Sequence, residues 1–256
     1  FVYRVHGEPA EQALGKFQKL AATVGVKVSI AGAHLQESLA EAVRGLEGHP
    51  AQSLLNMALL RSMQQASYSA THDIHFGLAS PGYTHFTSPI RRYPDLVVHR
   101  LLRWALDVEF GDKPKLGTKE REQLEKQLEE ICEHCSYRER LATDAERESI
   151  KLKQVRAMIP HLGAEFEGEI MGMIETGLFV RIQDPYVEGL ISKESMTDDH
   201  YEFNEERMVF AGHRKKRTFK VGDKVTINVL KADVDSRQID FGLIAGPHPR
   251  VAKPHN

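Results

Sequence analysis

Cysteine is scarce in this chain of 256 residues: there are two, Cys132 and Cys135, and a single tryptophan, Trp104. Two cysteines make no disulfide framework, so the sequence predicts a reducing, cytoplasmic compartment. An excess of either charge is missing too. With 34 Lys and Arg against 36 Asp and Glu, the formal net charge is −2. The whole-molecule field cannot draw in a polyanion, and any nucleic-acid contact must come from local patches. No apolar run approaches the roughly 18 residues of a spanning helix, and no basic-then-apolar leader opens the chain. No membrane partner is expected. The first residue is not methionine, and Phe1-Val2-Tyr3-Arg4-Val5 reads like the middle of a strand, from which a piece of something longer is inferred. What is present is 41% hydrophobic and 27% charged. That is a globular composition with room for one large or two ordinary domains.

Apolar spacing divides the chain near Pro160. Before it the period is helical. Ala10, Leu14, Phe17, Leu20 and Ala21 mark a helix within 8–23, and Leu35 to Leu46 a second, closed by Gly48 and Pro50. Residues 51–66, apolar nearly all round (Leu54, Leu55, Met57, Leu59, Leu60, Met63), predict a core helix. Val26 to Ile30 is β-prone. His72 to Tyr93, with Gly77, Pro81, Gly82 and Pro89, reads as loop, and Pro94 to Val108 as helix. Gly111, Pro114 and Gly117 mark a linker. From Lys119 to about Ile159 one long amphipathic helix places Leu124, Leu128, Ile131, Cys135, Ala142, Ala145 and Leu152 on one face. Pro160 stops it. Beyond it the period falls toward two. Strands at Phe166–Ile170, Leu178–Ile182, Val187–Ile191, Val225–Leu230 and Gln238–Phe241, with glycine at the turns, predict a small five-stranded β-barrel. The tail from Gly246 is expected to fray.

The densest stretch is Thr87-Ser88-Pro89-Ile90-Arg91-Arg92-Tyr93-Pro94-Asp95-Leu96. Ser88 suits an N-cap and Pro89 a first helical position. Pro94 suits a second helix start, with Asp95 in its first turn. Arg91 and Arg92 would then sit where helix N-termini present free N–H groups, a combination that grips phosphate. The alternative is a surface turn whose arginines pair with Asp95 and other acids. Cys132-Glu133-His134-Cys135 has the form of half a zinc site. Both cysteines lie in a predicted helix, however, and no second pair completes four ligands, so core or helix-face cysteines are expected. His72, Asp73 and His75 are expected to be solvated loop residues. His213-Arg214-Lys215-Lys216-Arg217, followed by Lys220, is the most basic run. It is either a solvated loop or a contact for a nucleic-acid backbone.

The run from His75-Phe76-Gly77-Leu78 through Tyr83-Thr84-His85-Phe86-Thr87-Ser88-Pro89-Ile90-Arg91-Arg92-Tyr93-Pro94-Asp95-Leu96 to His99-Arg100 resembles the ribonuclease II / ribonuclease R (RNB) family of 3′→5′ exoribonucleases, with the ribonuclease R branch nearest. The likeness extends upstream through Leu60-Arg61-Ser62-Met63 and downstream to Phe241. The resemblance implies hydrolysis of single-stranded RNA from its 3′ end, with Mg²⁺ held by clustered aspartates. Asp198-Asp199 and Asp233-Val234-Asp235 do not match that cluster, so no metal ligand is assigned here and the Mg²⁺ is expected on residues upstream of this chain. The resemblance further implies that Arg91 contacts the phosphate at the scissile end and offsets transition-state charge. Ser88 and Arg92 are the RNA contacts expected beside it. Glu146 falls near a glutamate that approaches the RNA end in relatives, which makes it the second catalytic candidate. Its alternative is a solvated charge on a long helix.

Gly168, then Gly177-Leu178-Phe179-Val180, then Glu188-Gly189-Leu190-Ile191 resembles the S1 RNA-binding domain, a five-stranded OB-fold. Such barrels stack bases on exposed aromatics and track the backbone with cations. Phe179 matches the family's aromatic, while Phe166 and Phe241 are expected in the core. Thr176 and Ser192 stand where many such domains have a second phenylalanine and a histidine. Arg181, Tyr201 and Arg237 are expected to compensate, with Lys215, Lys216 and Arg217 on the RNA backbone. The reading is therefore α+β. It has a mostly helical C-terminal part of an RNB catalytic domain over 1–160, an all-β S1-type OB barrel over 161–245, and a disordered tail over 246–256. The expected partners are single-stranded RNA, the rest of the same enzyme and the ribosome. The rivals are a non-catalytic S1-type RNA-binding protein and a docking module.

Overall fold

A computed structural model describes residues 1–23, 25–29, 35–49, 52–205 and 207–248. They form two units, one built mainly from residues 1–14 and 61–145, the other mainly from 146 onward. After the short strand β1 (Tyr3–Val5), the helices α1 (Glu11–Thr23), α2 (Leu35–Arg44) and α3 (Gln52–Ser62) fall where the apolar spacing places them. In α1 the predicted stripe of Leu14, Phe17, Leu20 and Ala21 is buried. The expectation that α3 is covered all round is corrected: Leu55 and Leu59 are buried, but Leu60 is 72% exposed. The β-prone segment forms no strand over Val26–Ser29. The Val28 carbonyl accepts from the Gln18 side chain (2.8 Å) instead of a ladder partner. Ile30 lies outside the described residues.

In the first unit β1 pairs antiparallel with β2 (Ser67–Ser69). A largely irregular stretch follows and leads into α4 (Tyr93–Glu109) and the long helix α5 (Thr118–Met158). Val2, Tyr68, Val97, Val98, Leu128 and Cys132 form the core. Burial, then the neighbouring Cys135, pushes the Cys132 thiol up to about 11. It is a core residue in a form that neither attacks nor ligates. His72 and Asp73 are exposed, as expected, while His75 is half-buried. The His72 ring meets Tyr3 edge-on at 4.9 Å, and His75 stacks on His6 at 5.3 Å.

The second unit is dominated by a closed barrel of β3 (Glu165–Ile174), β4 (Gly177–Gln183), β5 (Tyr186–Ser192), β9 (Lys224–Asp233) and β10 (Gln238–His248), in the order β10-β5-β4-β3-β9. All five expected strands are present. A parallel pairing of β10 with β5, Phe241 opposite Ile191, closes the barrel. Gly189 permits this closure: a Cβ there would lie 2.5 Å from the Phe241 ring. Ile170, Leu178, Val180, Ile182, Ile191, Ile227 and Phe241 fill the interior at 0–1% exposure.

Between β5 and β9 lies a separate sheet, β6 (Tyr201–Asn204), β7 (Val209–Gly212) and β8 (Thr218–Lys220), in that order. The sequence reading did not find it, because strands of three or four residues show too few positions for a period of two to emerge. β10 runs to His248, through Gly246 and Pro247, where the tail was expected to begin. The rest of that tail, 249–256, lies outside the described residues.

Candidate nucleic-acid interface

In the first unit the site is a turn fixed by one buried carboxylate. The backbone N–H groups of Arg91 and Arg92 both donate to the Ser88 carbonyl (3.3 and 3.0 Å). Arg92 is extended (φ −124°, ψ 111°) and stands as the N-cap of α4, so the turn ends after one bonded loop. The expected helix at Pro89 and the expected capping by Ser88 are thereby corrected. The Asp95 Oδ1 accepts from the Ser88 N–H and from Arg92 Nη2, both at 2.8 Å. Asp95 is 0% exposed. Arg92 is thus already neutralised, as the surface-turn alternative holds. Arg91 is the reverse case: exposed, with no side-chain partner among the described residues.

Aromatic rings line the same unit. His6, His75, Tyr83, His85 and Tyr68 follow one another at centroid spacings of 5.3, 5.3, 5.8 and 5.6 Å. The Tyr68 hydroxyl and His85 Nδ1 are 2.9 Å apart, and burial, then Glu139, pushes the Tyr68 phenol up to about 12. Burial, helped by Arg92 and Arg4, holds His85 below the ordinary histidine value, which favours a neutral ring. Phe86 stacks on His99 at 4.1 Å with planes 4° apart. Phe86 and Tyr83 keep 40% and 37% of their surface exposed, enough for a base to stack on.

In the second unit β4 alternates inward and outward residues. Leu178, Val180 and Ile182 are buried, so Phe179 and Arg181 share the outer face. Phe179 is 38% exposed. Arg181 is paired with Glu188, directly opposite on β5, and lies 5.2 Å from the Tyr186 ring. The basic run forms the turn between β7 and β8. Within it Lys215 and Arg217 reach the Asp198 carboxylate at 3.3 and 3.1 Å. Lys216, at φ +53°, is exposed with no partner among the described residues.

Two models of known families match: the RNB domain over residues 1–107 and the S1 RNA binding domain over 159–244. The chain is 40% identical over 242 residues to ribonuclease R 1 of Lactococcus lactis, covering 94% of this chain and 29% of that protein. The chain carries an RNB and an S1 RNA binding domain and is similar to ribonuclease R proteins over nearly all of its own length. It spans about a third of the length of the curated relatives it matches. Solved structures agree. The apo ribonuclease R of Mycoplasma genitalium superposes with a TM-score of 0.81 at 28% identity, over 95% of this chain and 38% of that one. The same enzyme in complex with ribose-methylated single-stranded RNA superposes with a TM-score of 0.80 at 28% identity, with the same coverage.

Within this chain the expected site residues divide. Arg91, Lys216 and Phe179 present open groups. Glu146 is exposed on α5, with no partner among the described residues. Arg92, Arg181, Lys215 and Arg217 are engaged by acids, and Arg237, at φ +54°, by Glu148. Tyr201 is corrected: it is 1% exposed, its hydroxyl donates to Asp198 (3.1 Å), and it cannot stack a base. Ser192 caps the turn after β5 by accepting from the Glu194 N–H (3.2 Å). Tyr83, Phe86 and His99 were not singled out from the sequence, although all three lie inside the stretch that carried the resemblance.

Proposed function

We propose that this chain seats single-stranded RNA in a processive 3′→5′ exoribonuclease, with Arg91 holding the terminal phosphates and the S1 barrel tracking the strand. The observation that carries this reading is the split between two adjacent arginines. Asp95 neutralises Arg92 and ties down the turn, and Arg91 is left as an exposed, uncompensated guanidinium. A planar fork of that kind grips two phosphate oxygens at once. In the reaction it would position the phosphate and offset the charge that develops on it. Phe179, Arg181 and Lys216 would contact the strand on the barrel side.

The metal in this chemistry is Mg²⁺, which would polarise the phosphate and activate water. Among the described residues, the carboxylates of the RNB segment at Asp95 and Asp73 do not fit it. Asp95 is committed to Ser88 and Arg92, and the Asp73 Oδ1 accepts from the Ile74 N–H (2.7 Å). Mg²⁺ asks for several oxygen ligands in an octahedron, and its carboxylates would come from outside this chain.

The test is Arg91→Ala in a catalytically active ribonuclease R carrying these residues. Turnover should fall on the order of 10²-fold, as for loss of one positioned charge stabiliser, with RNA affinity nearly unchanged. Arg91→Lys should rescue in part. Wild-type rates in both variants would leave Arg91 an ordinary surface residue and overturn the reading.

A further inference from the structure

One cluster of ligating side chains has no part in the RNA reading: His200, Glu202 and His213, on the three-stranded sheet of the S1 domain. His200 and Glu202 flank Tyr201 in sequence. Because Tyr201 is buried, the period of two turns both of its neighbours outward. The register pairs Tyr201 with Gly212, so His213 falls opposite His200, and its N–H donates to the His200 carbonyl at 2.9 Å. Three side chains thus meet on one face of a cross-strand pair. Their ligating atoms all lie within 4.8 Å of one another. His213 Nε2 is 3.2 Å from a Glu202 oxygen, and the two imidazole centroids are 5.4 Å apart.

The backbone under the cluster is fixed. The Asp199 carboxylate accepts from the N–H groups of His200, Arg214 and Lys215 (2.7, 3.0 and 2.7 Å), which ties His200 to the backbone that follows His213. Gly212 N–H donates to the Arg217 carbonyl (2.8 Å) and closes the turn. The nearby cations are offset in part: Lys215 and Arg217 share Asp198, and Arg214 lies 3.8 Å from Asp199, while Lys216 is open. A dication arriving at the cluster therefore meets a reduced positive charge from this turn, opposed by the Glu202 carboxylate in the cluster itself.

Two imidazoles and one carboxylate are the donor set of a borderline ion, and zinc sites with three protein ligands keep water in the fourth position. Ligands about 2.1 Å from a tetrahedral centre lie about 3.4 Å apart, so the exposed side chains need shift by only about an ångström. We propose that His200, Glu202 and His213 bind one Zn²⁺-class transition-metal ion, with solvent completing its coordination. The site is separate from the Mg²⁺ chemistry of RNA cleavage, since a hard cation that prefers six oxygens is poorly served here.

The test uses the whole, untagged chain without RNA. Zn²⁺ is titrated calorimetrically, and Co²⁺ is followed by its visible absorption as a probe of coordination geometry. One equivalent of Zn²⁺ should bind, and Co²⁺ should give the intense bands of a four-coordinate site. His200→Ala and His213→Ala should each weaken binding at least tenfold, and Glu202→Gln by less, with circular dichroism unchanged because all three side chains are exposed. Cys135→Ser should leave binding intact. Stoichiometric binding that survives in the His200→Ala/His213→Ala double variant, binding lost in Cys135→Ser, or no one-equivalent binding at all would each overturn the proposal.

Discussion

The adjacent arginines of the RNB segment differ by where Asp95 points. Its carboxylate is fully buried and holds both the Ser88 N–H and the Arg92 guanidinium. Its second oxygen and the Arg92 Nε are buried without partners among the described residues, so the pair is held by position more than by full satisfaction. Removing it should be costly. Asp95→Ala should destabilise the protein by about 3 kcal/mol, the cost of breaking a buried pair, while Arg91→Ala should leave thermal unfolding unchanged. A melting temperature for Asp95→Ala equal to that of wild type would show that the turn holds itself. On the barrel, Phe179→Ala should weaken binding of a single-stranded oligonucleotide by about 1–3 kcal/mol with the salt dependence unaltered, because stacking releases no counterions. Titrations at several salt concentrations separate the two effects.

The β6–β8 sheet carries the basic run, and its acids decide how much of that charge is available. Lys215 and Arg217 share Asp198, whereas Lys216 is open. Replacing Lys215, Lys216 and Arg217 by glutamine should flatten the plot of log affinity against log salt. Lys216→Gln alone should account for most of the change, close to the slope of about 0.7 per phosphate on single strands. An unchanged slope in the triple variant would make the turn a solvated loop. Asp199 holds the same turn from beneath. Burial opposes its ionisation, but N–H donors from Arg214, Lys215 and His200 prevail and keep its carboxyl near about 2. A carboxyl lowered from 3.8 favours the fold above that pH, and the contribution is lost as pH falls toward 2. Thermal melts of wild type should therefore decline over that interval. Asp199→Asn should melt lower than wild type at neutral pH and lose less on acidification, and parallel pH profiles for the two proteins would contradict this.

For the molecule as a whole, the RNB and S1 matches and the absence of a fitting Mg²⁺ site around Arg91 bear on one experiment. Purified chain incubated with end-labelled single-stranded RNA and Mg²⁺ should bind the RNA and leave its length unchanged. Trimming from the 3′ end that survives repurification and is abolished by Arg91→Ala would mean the chain carries its own metal ligands. Among the described residues no helix is long and apolar enough to cross a membrane.

The sequence by itself determined the helices, the change of period near Pro160 and the five barrel strands. Each rests on a local period, 3.6 or 2, that runs over enough residues to be read. It also carried the likeness to ribonuclease R, because the stretch from His75 to Arg100 is long and specific. The failures came where the deciding partner is distant or the element short. Tyr201 reads as an exposed aromatic until β7 and β8 cover it. Lys215 and Arg217 read as free cations until the fold returns Asp198 to them. Arg91 and Arg92 are equivalent in sequence, yet Arg92 pairs with Asp95, as the surface-turn alternative has it, and Arg91 is left exposed. Only the tertiary structure could make that division, because it depends on which guanidinium the buried Asp95 can reach.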